Sequence, residues 1–485
     1  MRAAPGGAGG SEPPPDPSDG GSADQPSFAS GARILSIGIA STGIFTFAYL
    51  ATSSHVLSKA AYSRISLCWA IMFVILSVIY RPIEQLLSRT IADRRARGLH
   101  GHSLRVPASI QFGFALVFLI AALALRHPIQ QGMFDGSSDL YWSLVIGVLA
   151  YAGSYFARGW LAGHQKFALY GGLVFLESTS RFLFPLAVAV GIGSGQGVVG
   201  LGMAVAPFAS LSVMPFAFSR VRAGAVPQPA DDASADVPIV DAAAEGPAHA
   251  QLEEANADLS LRHGAGFAVS VVGIMFSEQM LMNAGVLIVA ASAGGNLTSG
   301  LTGFVFNVML IVRAPLQLFQ AIQTSILPHL AGLEARESAD EFRRAIRTTI
   351  LVIAAFGGAV ALGLLAIGPT VMTIFLGDKG GFHYARLGLA IVGLGMGLHL
   401  VSGTLNQAAL ARGRARAACA SWLVAAALFV ALVALPTVHS EVTRVEVGYF
   451  ASTALLTLLL YALYRRGPAR DATASQGPPA AAAMR

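Results

Sequence analysis

The run TTILVIAAFGGAVALGLLAI, residues 348–367, holds no charged residue and is as long as a helix that crosses a lipid bilayer. The hydrocarbon core of a bilayer needs about 20 apolar residues in a helix to span it. Eleven further apolar runs of comparable length lie on either side of it along the chain. The predicted spans lie near 32–52, 62–81, 104–125, 139–157, 168–191, 197–219, 265–292, 298–330, 346–367, 383–410, 415–436 and 443–464. The sequence therefore predicts an all-α polytopic membrane protein with about 12 transmembrane helices.

Composition supports a membrane protein. Hydrophobic residues make up 54% of the 485 residues and charged residues only 12%, whereas a soluble domain carries about a quarter charged residues. The formal net charge of +6 is compatible with nucleic-acid binding, but the basic residues are placed according to topology. We expect contact with the lipid bilayer and none with nucleic acid.

Arginine is concentrated in every second gap between the spans. Examples are Arg94 and Arg95 after the second span, Arg343 and Arg344 after the eighth, and Arg414 after the tenth. Cytoplasmic loops carry the excess of Lys and Arg in membrane proteins. The pattern predicts a multi-pass protein of a bacterial cytoplasmic (inner) membrane with both termini in the cytoplasm.

Two polar segments and a central break divide the chain. Residues 1–31 and 467–485 are rich in Gly, Pro and Ala, and we expect disordered cytoplasmic tails there. Residues 223–262 combine acidic residues with Ala and Pro, and we expect a flexible cytoplasmic linker. The linker separates an N-terminal six-helix lobe, 32–222, from a C-terminal six-helix lobe, 263–466. Transporters of several classes have this division, with the substrate between two halves.

The sequence holds no motif for catalysis or for a cofactor. GxxxxGK[ST] and HExxH are absent, and the gaps between spans are too short for a catalytic domain. The two cysteines, Cys68 and Cys419, both lie inside spans, where we expect small packing residues. We therefore predict that the protein is not an enzyme and has no catalytic residue, metal site or cofactor.

Ionisable side chains inside membrane spans are costly and are candidates for function. Glu177 and Arg181 are four residues apart on the fifth span, so they share a helix face and can pair. Arg313, Gln317 and Gln320 form a polar stripe along the eighth span, which Thr324 continues. Such a stripe must face other helices or a hydrated cavity.

The seventh span adds Glu278, Gln279 and Asn283. Two interpretations stay open for these groups. Glu177–Arg181 and Glu278–Arg313 are either internal pairs that fix helix packing, or the arginines line a hydrated cavity and bind an anionic group. The planar guanidinium of Arg donates two parallel hydrogen bonds to phosphate. His399, Asn307 and Asn406 are expected to be packed, hydrogen-bonded side chains between helices.

The segment RPIEQLLSRTIADRRARGL, residues 81–99, carries apolar residues at helical spacing with arginines between them. It is either an amphipathic helix at the membrane surface or a continuation of the second span.

Several stretches resemble one transporter family. RGWLAGHQKFALYGGLVFLESTSRFLFPLAVAV (158–190) resembles its fourth and fifth spans with their short basic loop, and RAPLQLFQAIQTSILPHLAGL (313–333) resembles its eighth. GPTVMTIFLGDKG (368–380) is similar to its loop between spans nine and ten. RPIEQLLSR (81–89) and LMNAGVLIV (281–289) are similar to a bacterial branch.

The family is that of the Wzx-like polysaccharide flippases of the multidrug/oligosaccharidyl-lipid/polysaccharide (MOP) exporter superfamily. The resemblance implies two six-helix lobes around a central cavity (MOP/MATE-like) and a polyprenyl-diphosphate-linked oligosaccharide as substrate. It implies alternating access for cell-surface polysaccharide biosynthesis, with glycan synthesis enzymes as partners. The substrate-binding residues would be Arg181, Arg313, Gln317, Gln320, Glu177, Glu278 and Asn283. ATSSHVLSKAAYSR (51–64) departs from the family pattern after the first span.

Three other functions remain open at this point. The first is a cation-coupled multidrug exporter of the same superfamily, for which carboxylates clustered in the first lobe would be expected. The second is a non-transporting membrane scaffold for glycan synthesis, which would require the arginines to be sealed in pairs. The third is a membrane-embedded glycan enzyme, which the short outer loops disfavour.

Overall fold

The computed structural model describes residues 25–96, 104–217, 247–292, 300–313, 315–316, 339–377, 382–436 and 440–466. Within these ranges the chain forms twelve helices longer than ten residues and no β-strand. The helices of the first half are α1 Gln25–Val56, α2, α3 Arg105–Ala124, α4 Ser138–Gly163, α5 Phe167–Ala189 and α6 Gly195–Leu211. Helix α2 runs through Lys59–Ile75, a π-helical turn Leu76–Tyr80 and Arg81–Ala96.

The helices of the second half are α7 Pro247–Ser292, α8 Leu301–Arg313, α9 Ala339–Leu376, α10 Arg386–Ala411, α11 Ala415–Ala434 and α12 Glu441–Arg465. Ten helices in the described part of the chain are long and apolar enough to cross a membrane. The predicted all-α, multi-pass membrane fold is confirmed.

Serine side chains mark where several helices begin. Ser58, Ser137 and Ser440 each precede a helix in extended backbone, and each hydroxyl accepts a hydrogen bond from the amide three residues later. This contact satisfies an amide that has no partner within the helix. The short polar connections between spans therefore fix the start of α2, α4 and α12.

The two halves repeat one packing pattern. In the first half α1 packs on α5, α3 on α4, and α6 on both α4 and α5. In the second half α7 packs on α11, α9 on α10, and α12 on both α10 and α11. The two sets are related by a shift of six helices. Each half is therefore a lobe of its own, and the repeat is structural although the two sequences show no obvious similarity.

The lobes meet mainly along α2, which packs against α7, and where α1 contacts α9. The third helix of each lobe lies at its edge, since only 17% of the apolar window of both α3 and α9 is buried inside the protein. The protein leaves most of the apolar surface of these two helices uncovered, and this surface is available to lipid.

The segment after the second span is a continuation of that span. Residues Arg81–Ala96 extend α2 and pack against α4. Gly159 and Gly163 make this approach possible, because a Cβ atom on Gly159 would lie 2.8 Å from the carbonyl oxygen of Glu84. A Cβ atom on Gly163 would lie 2.7 Å from the Cβ atom of Ile91. Small residues four apart allow helices to pack closely in membranes.

Two helices begin earlier than the apolar runs indicated. Helix α1 starts at Gln25, inside the expected tail 1–31, and α7 starts at Pro247, inside the expected linker 223–262. Residues 251–258 are mostly Ala, Leu, Glu and other good helix formers, and Pro is favoured at the first helical position. A helix is therefore able to continue beyond its apolar part. The remainder of the linker and the tail 467–485 lie outside the described residues.

Candidate functional site

The first lobe contains a buried ionic cluster centred on Glu177. Arg181, one turn further along α5, lies with its Nη2 atom 2.9 Å from Glu177 Oε1. Arg158 of α4 forms an ion pair with the other oxygen, Oε2. Tyr151 and Ser154 of α4 each donate a hydrogen bond of 3.1 Å to the same carboxylate. The expected Glu177–Arg181 pair is therefore present, and a second arginine shares its carboxylate.

Aromatic rings surround the two guanidinium groups of this cluster. The Arg181 guanidinium carbon lies 5.1 Å from the ring centre of Trp69 and 5.7 Å from that of Phe73. That of Arg158 lies 4.6 Å from the ring of Tyr155. Contacts of a cation with aromatic faces are favourable, more so when water is excluded. Arg181 is 2% and Glu177 5% exposed, so this pair is closed to solvent, whereas the side chain of Arg158 keeps 11% exposure.

Sequence reasoning missed the α4 members of the cluster. The predicted fourth span, 139–157, ends before Arg158, but α4 continues to Gly163 and carries Arg158 within its final two turns. Tyr151, Ser154 and Arg158 lie at positions i, i+3 and i+7, which share one helix face. This spacing along α4 is the feature of the sequence from which a polar helix face opposite Glu177 could have been predicted.

The second lobe holds Arg313 in a different environment. Its guanidinium Nη2 donates to the Oδ1 atom of Asn283 at 2.7 Å and to the carbonyl oxygen of Met282 at 3.2 Å. The guanidinium carbon lies 4.6 Å from the ring centre of Phe306. Asn283 in turn donates to the side-chain oxygen of Gln279 at 3.0 Å. A polar chain of Gln279, Asn283 and Arg313 thus links α7 to α8.

The structure does not bring Arg313 and Glu278 together, the pair that one of the two interpretations contained. Glu278 lies within electrostatic range of Tyr449 on α12, whereas Arg313 contacts Asn283. Positions 278 and 283 are five residues apart, so their side chains leave the helix about 140° apart. Among the described residues no carboxylate lies within ion-pair distance of Arg313, which is 7% exposed. Arg313 is therefore a buried cation held by neutral acceptors.

Gln317, Gln320 and Thr324, the rest of the stripe predicted on the eighth span, lie outside the described residues. The packed polar residues of the second lobe are where the sequence indicated. His399 forms a 2.9 Å hydrogen bond with the hydroxyl of Tyr449, and Asn406 accepts one of 3.1 Å from the indole of Trp422. His399 therefore joins α10 to α12, and Asn406 joins α10 to α11. Within the described part of the chain, no group of three or more His, Cys, Asp or Glu is placed to hold a metal ion.

No protein-family model matches the chain, and no curated protein sequence does. Solved structures do match. The Vibrio cholerae MATE transporter VcmN in its bent form has a TM-score of 0.56 at 13% identity, over 91% of this chain and 98% of that one. An inward-facing multidrug resistance MATE family transporter of the MOP superfamily gives 0.60 at 12% identity, over 88% and 94%. An outward-facing one gives 0.60 at 14% identity, over 90% and 95%. Over nearly its whole length this chain therefore has the fold of the MATE transporters of the MOP superfamily.

Proposed function

We propose that the protein is a transporter that flips a polyprenyl-diphosphate-linked oligosaccharide across the bacterial cytoplasmic membrane by alternating access. Two observations support transport as such. The chain has two lobes that repeat one packing pattern, and similar structures are known in inward-facing and outward-facing conformations. Substrate sites in repeat-built transporters lie between the halves.

The observation that carries the substrate class is the environment of Arg313. A buried cation without a carboxylate partner is costly, and an anionic ligand would supply the missing charge. The Nε atom of Arg313 is buried without a hydrogen-bond partner among the described residues, so the guanidinium has a donor left to offer. A diphosphate accepts parallel hydrogen bonds from such a group.

Binding then follows from exchange of partners. The diphosphate takes the place of the Asn283 side chain on the Arg313 guanidinium, and Asn283 keeps its bond to Gln279. Arg181 is the weaker candidate for substrate binding, because a phosphate must displace the charged Glu177 from it. In this proposal Arg313 recognises the charged head, and the α1–α2 turn lies on the outer side of the membrane.

A cation-coupled multidrug exporter is the second candidate. Two of the similar structures are multidrug resistance MATE family transporters, and one observation favours the same activity here. Glu446 of α12 is 5% exposed, lies against Gly388 of α10, and has no ion-pair partner among the described residues. In contrast, Glu177, the buried carboxylate described in the first lobe, is held by two arginines and is not available for a cation.

The test is transport in proteoliposomes with two cargoes. A fluorescent undecaprenyl-diphosphate disaccharide reports glycan flipping, and ethidium reports drug export. We expect glycan flipping by the wild type, at least a tenfold loss in Arg313→Ala, and poor recovery in Arg313→Lys because the bidentate fork is lost. Arg343→Ala is the control, since Arg343 is a surface residue with a 66% exposed side chain. Ethidium transport without glycan flipping would refute the proposal, as would normal glycan flipping by Arg313→Ala.

A further inference from the structure

Polar contacts join the two lobes at one end of the bundle. This end, where α1 ends and α2 begins, is named the α1–α2 end. Three of the hydrogen bonds among the described residues cross between the lobes there. They run from Ser54 to the carbonyl of Leu376, from Tyr62 to Asn307, and from the amide of Gly303 to the hydroxyl of Ser63. The ring of Phe47 also meets that of Phe375, with 5.7 Å between centres.

Asn307 is the centre of this junction. Its Oδ1 atom accepts a hydrogen bond from Tyr62 of the first lobe at 2.5 Å. Its Nδ2 atom donates to the hydroxyl of Tyr384 of the second lobe at 3.2 Å. Tyr62 and Asn307 are fully buried and Tyr384 is 7% exposed. Phe304, three residues before Asn307, stacks on Tyr384 with 4.6 Å between ring centres.

Backbone packing brings these groups into reach. Gly303 allows α8 to lie directly against the first turn of α2, because a Cβ atom there would be 2.8 Å from the ring of Tyr62. The junction is therefore a dry, close-packed contact between lobes whose polar atoms are paired with one another.

We infer that Tyr62, Asn307 and Tyr384 form a latch that holds the lobes together at the α1–α2 end and must open for access from that side. Neutral hydrogen bonds suit this purpose, because water replaces them at a small net cost when the lobes part. The charged bonds of the Glu177 cluster lie inside one lobe and are far more costly to break. The ionic bonds inside the first lobe, which stay closed, thus differ in kind from the neutral hydrogen bonds between the lobes, which must open. The consequence for transport rests on the proposed function, whereas the latch does not.

The test measures the distance between the lobes by double electron–electron resonance. Spin labels are placed at Lys59→Cys and His383→Cys, which are exposed positions of opposite lobes at this end, in a protein carrying Cys68→Ala and Cys419→Ala. We expect Tyr62→Phe to raise the ratio of open to closed populations about fivefold, which corresponds to one neutral hydrogen bond of ~1 kcal/mol. Asn307→Leu should raise it as much or more, and the double variant no further than Asn307→Leu, since the Tyr62 bond is shared.

Tyr141→Phe is the matched control. Tyr141 is fully buried, and its hydroxyl donates to the carbonyl of Ala122 inside the first lobe at 2.8 Å. This control should leave the distances unchanged. Gly303→Ala offers an independent disruption, because its methyl group pushes on the Tyr62 ring. Distances equal to wild type in Tyr62→Phe, Asn307→Leu and Gly303→Ala would overturn the latch. The measurement uses no cargo, so it stands even if the wild type flips no glycan.

Discussion

Glu177 on α5 and Arg158 on α4 form an ion pair between neighbouring helices of the first lobe, in the part of the protein that spans the membrane. The pair does not stand alone, because Arg181 holds the other oxygen of the same carboxylate. One acidic side chain thus keeps two arginines within a low-dielectric region. Its removal would affect both helices.

Glu177→Gln should strongly destabilise the protein. The variant leaves the buried guanidinium of Arg181 without its carboxylate partner and removes the ion pair of Arg158. Breaking a buried pair by removing one partner costs about 3–5 kcal/mol. The measurement is the loss of folded protein on heating in detergent, followed by size-exclusion chromatography.

Glu441→Gln is the control for that experiment. Glu441 pairs with Arg444 at 3.5 Å near the start of α12, where it is partly exposed. Pairs of this kind contribute under about 1 kcal/mol. Equal melting of Glu177→Gln and Glu441→Gln would show that the first-lobe cluster does not stabilise the fold.

Gly159→Ala should weaken the contact of α2 with α4. The new methyl group would meet the carbonyl oxygen of Glu84 at 2.8 Å, and backbone has to shift to make room. Overpacking of this kind costs about 1–3 kcal/mol. Gly172→Ala is the matched control, because no atom lies within 4 Å of a Cβ placed there. Equal melting temperatures of Gly159→Ala and Gly172→Ala would contradict the close approach of α2 and α4.

Reporter fusions test the orientation in the membrane. Alkaline phosphatase and green fluorescent protein joined after Gly20, Val240 and Ser475 should all report the cytoplasm. The reason is the excess of arginine in alternate gaps. A periplasmic signal at Val240 would contradict the arrangement of six helices on each side of a cytoplasmic connection.

Cysteine labelling tests the polar stripe of the eighth span. Gln317→Cys and Gln320→Cys should react with a membrane-impermeant thiol reagent, because they share a helix face with Arg313 and are expected to line a hydrated space. Leu362→Cys is the comparison, since Leu362 is 68% exposed on the lipid-facing helix α9. If Gln317→Cys and Gln320→Cys react as slowly as Leu362→Cys, the stripe does not line a hydrated space.

Within the described residues each predicted span contains one helix, so the sequence was sufficient for the type and order of these helices. Each apolar run is long enough to identify a span by itself, and the pair Glu177–Arg181 follows from spacing along one helix. Contacts between helices were harder to predict. The predicted fourth span, 139–157, ends before Arg158, because arginine is usually excluded from spans. Only the folded lobe brings Arg158 to Glu177.

The partner of Arg313 shows the same limit. Charge alone favoured Glu278, yet Asn283 is on the face of α7 that meets α8. Similarly, Asn307 was expected to be a packing residue, and its role between lobes depends on Tyr62, which lies 245 positions away. Pattern along the chain identifies polar residues inside the membrane, but the assignment of partners requires the register of one helix against another.

The edge position of α9 also has a consequence for the surrounding lipid. Its membrane-capable segment, Arg343–Leu376, has 34 residues, and at 1.5 Å per residue it is about 50 Å long. The hydrocarbon layer is only about 30 Å thick, so α9 must tilt, project into water or thicken the bilayer around it. Because the protein covers only 17% of the apolar window of this helix, we expect acyl-chain length to change its angle. The arrangement of the second lobe thus depends on the thickness of the bilayer around it.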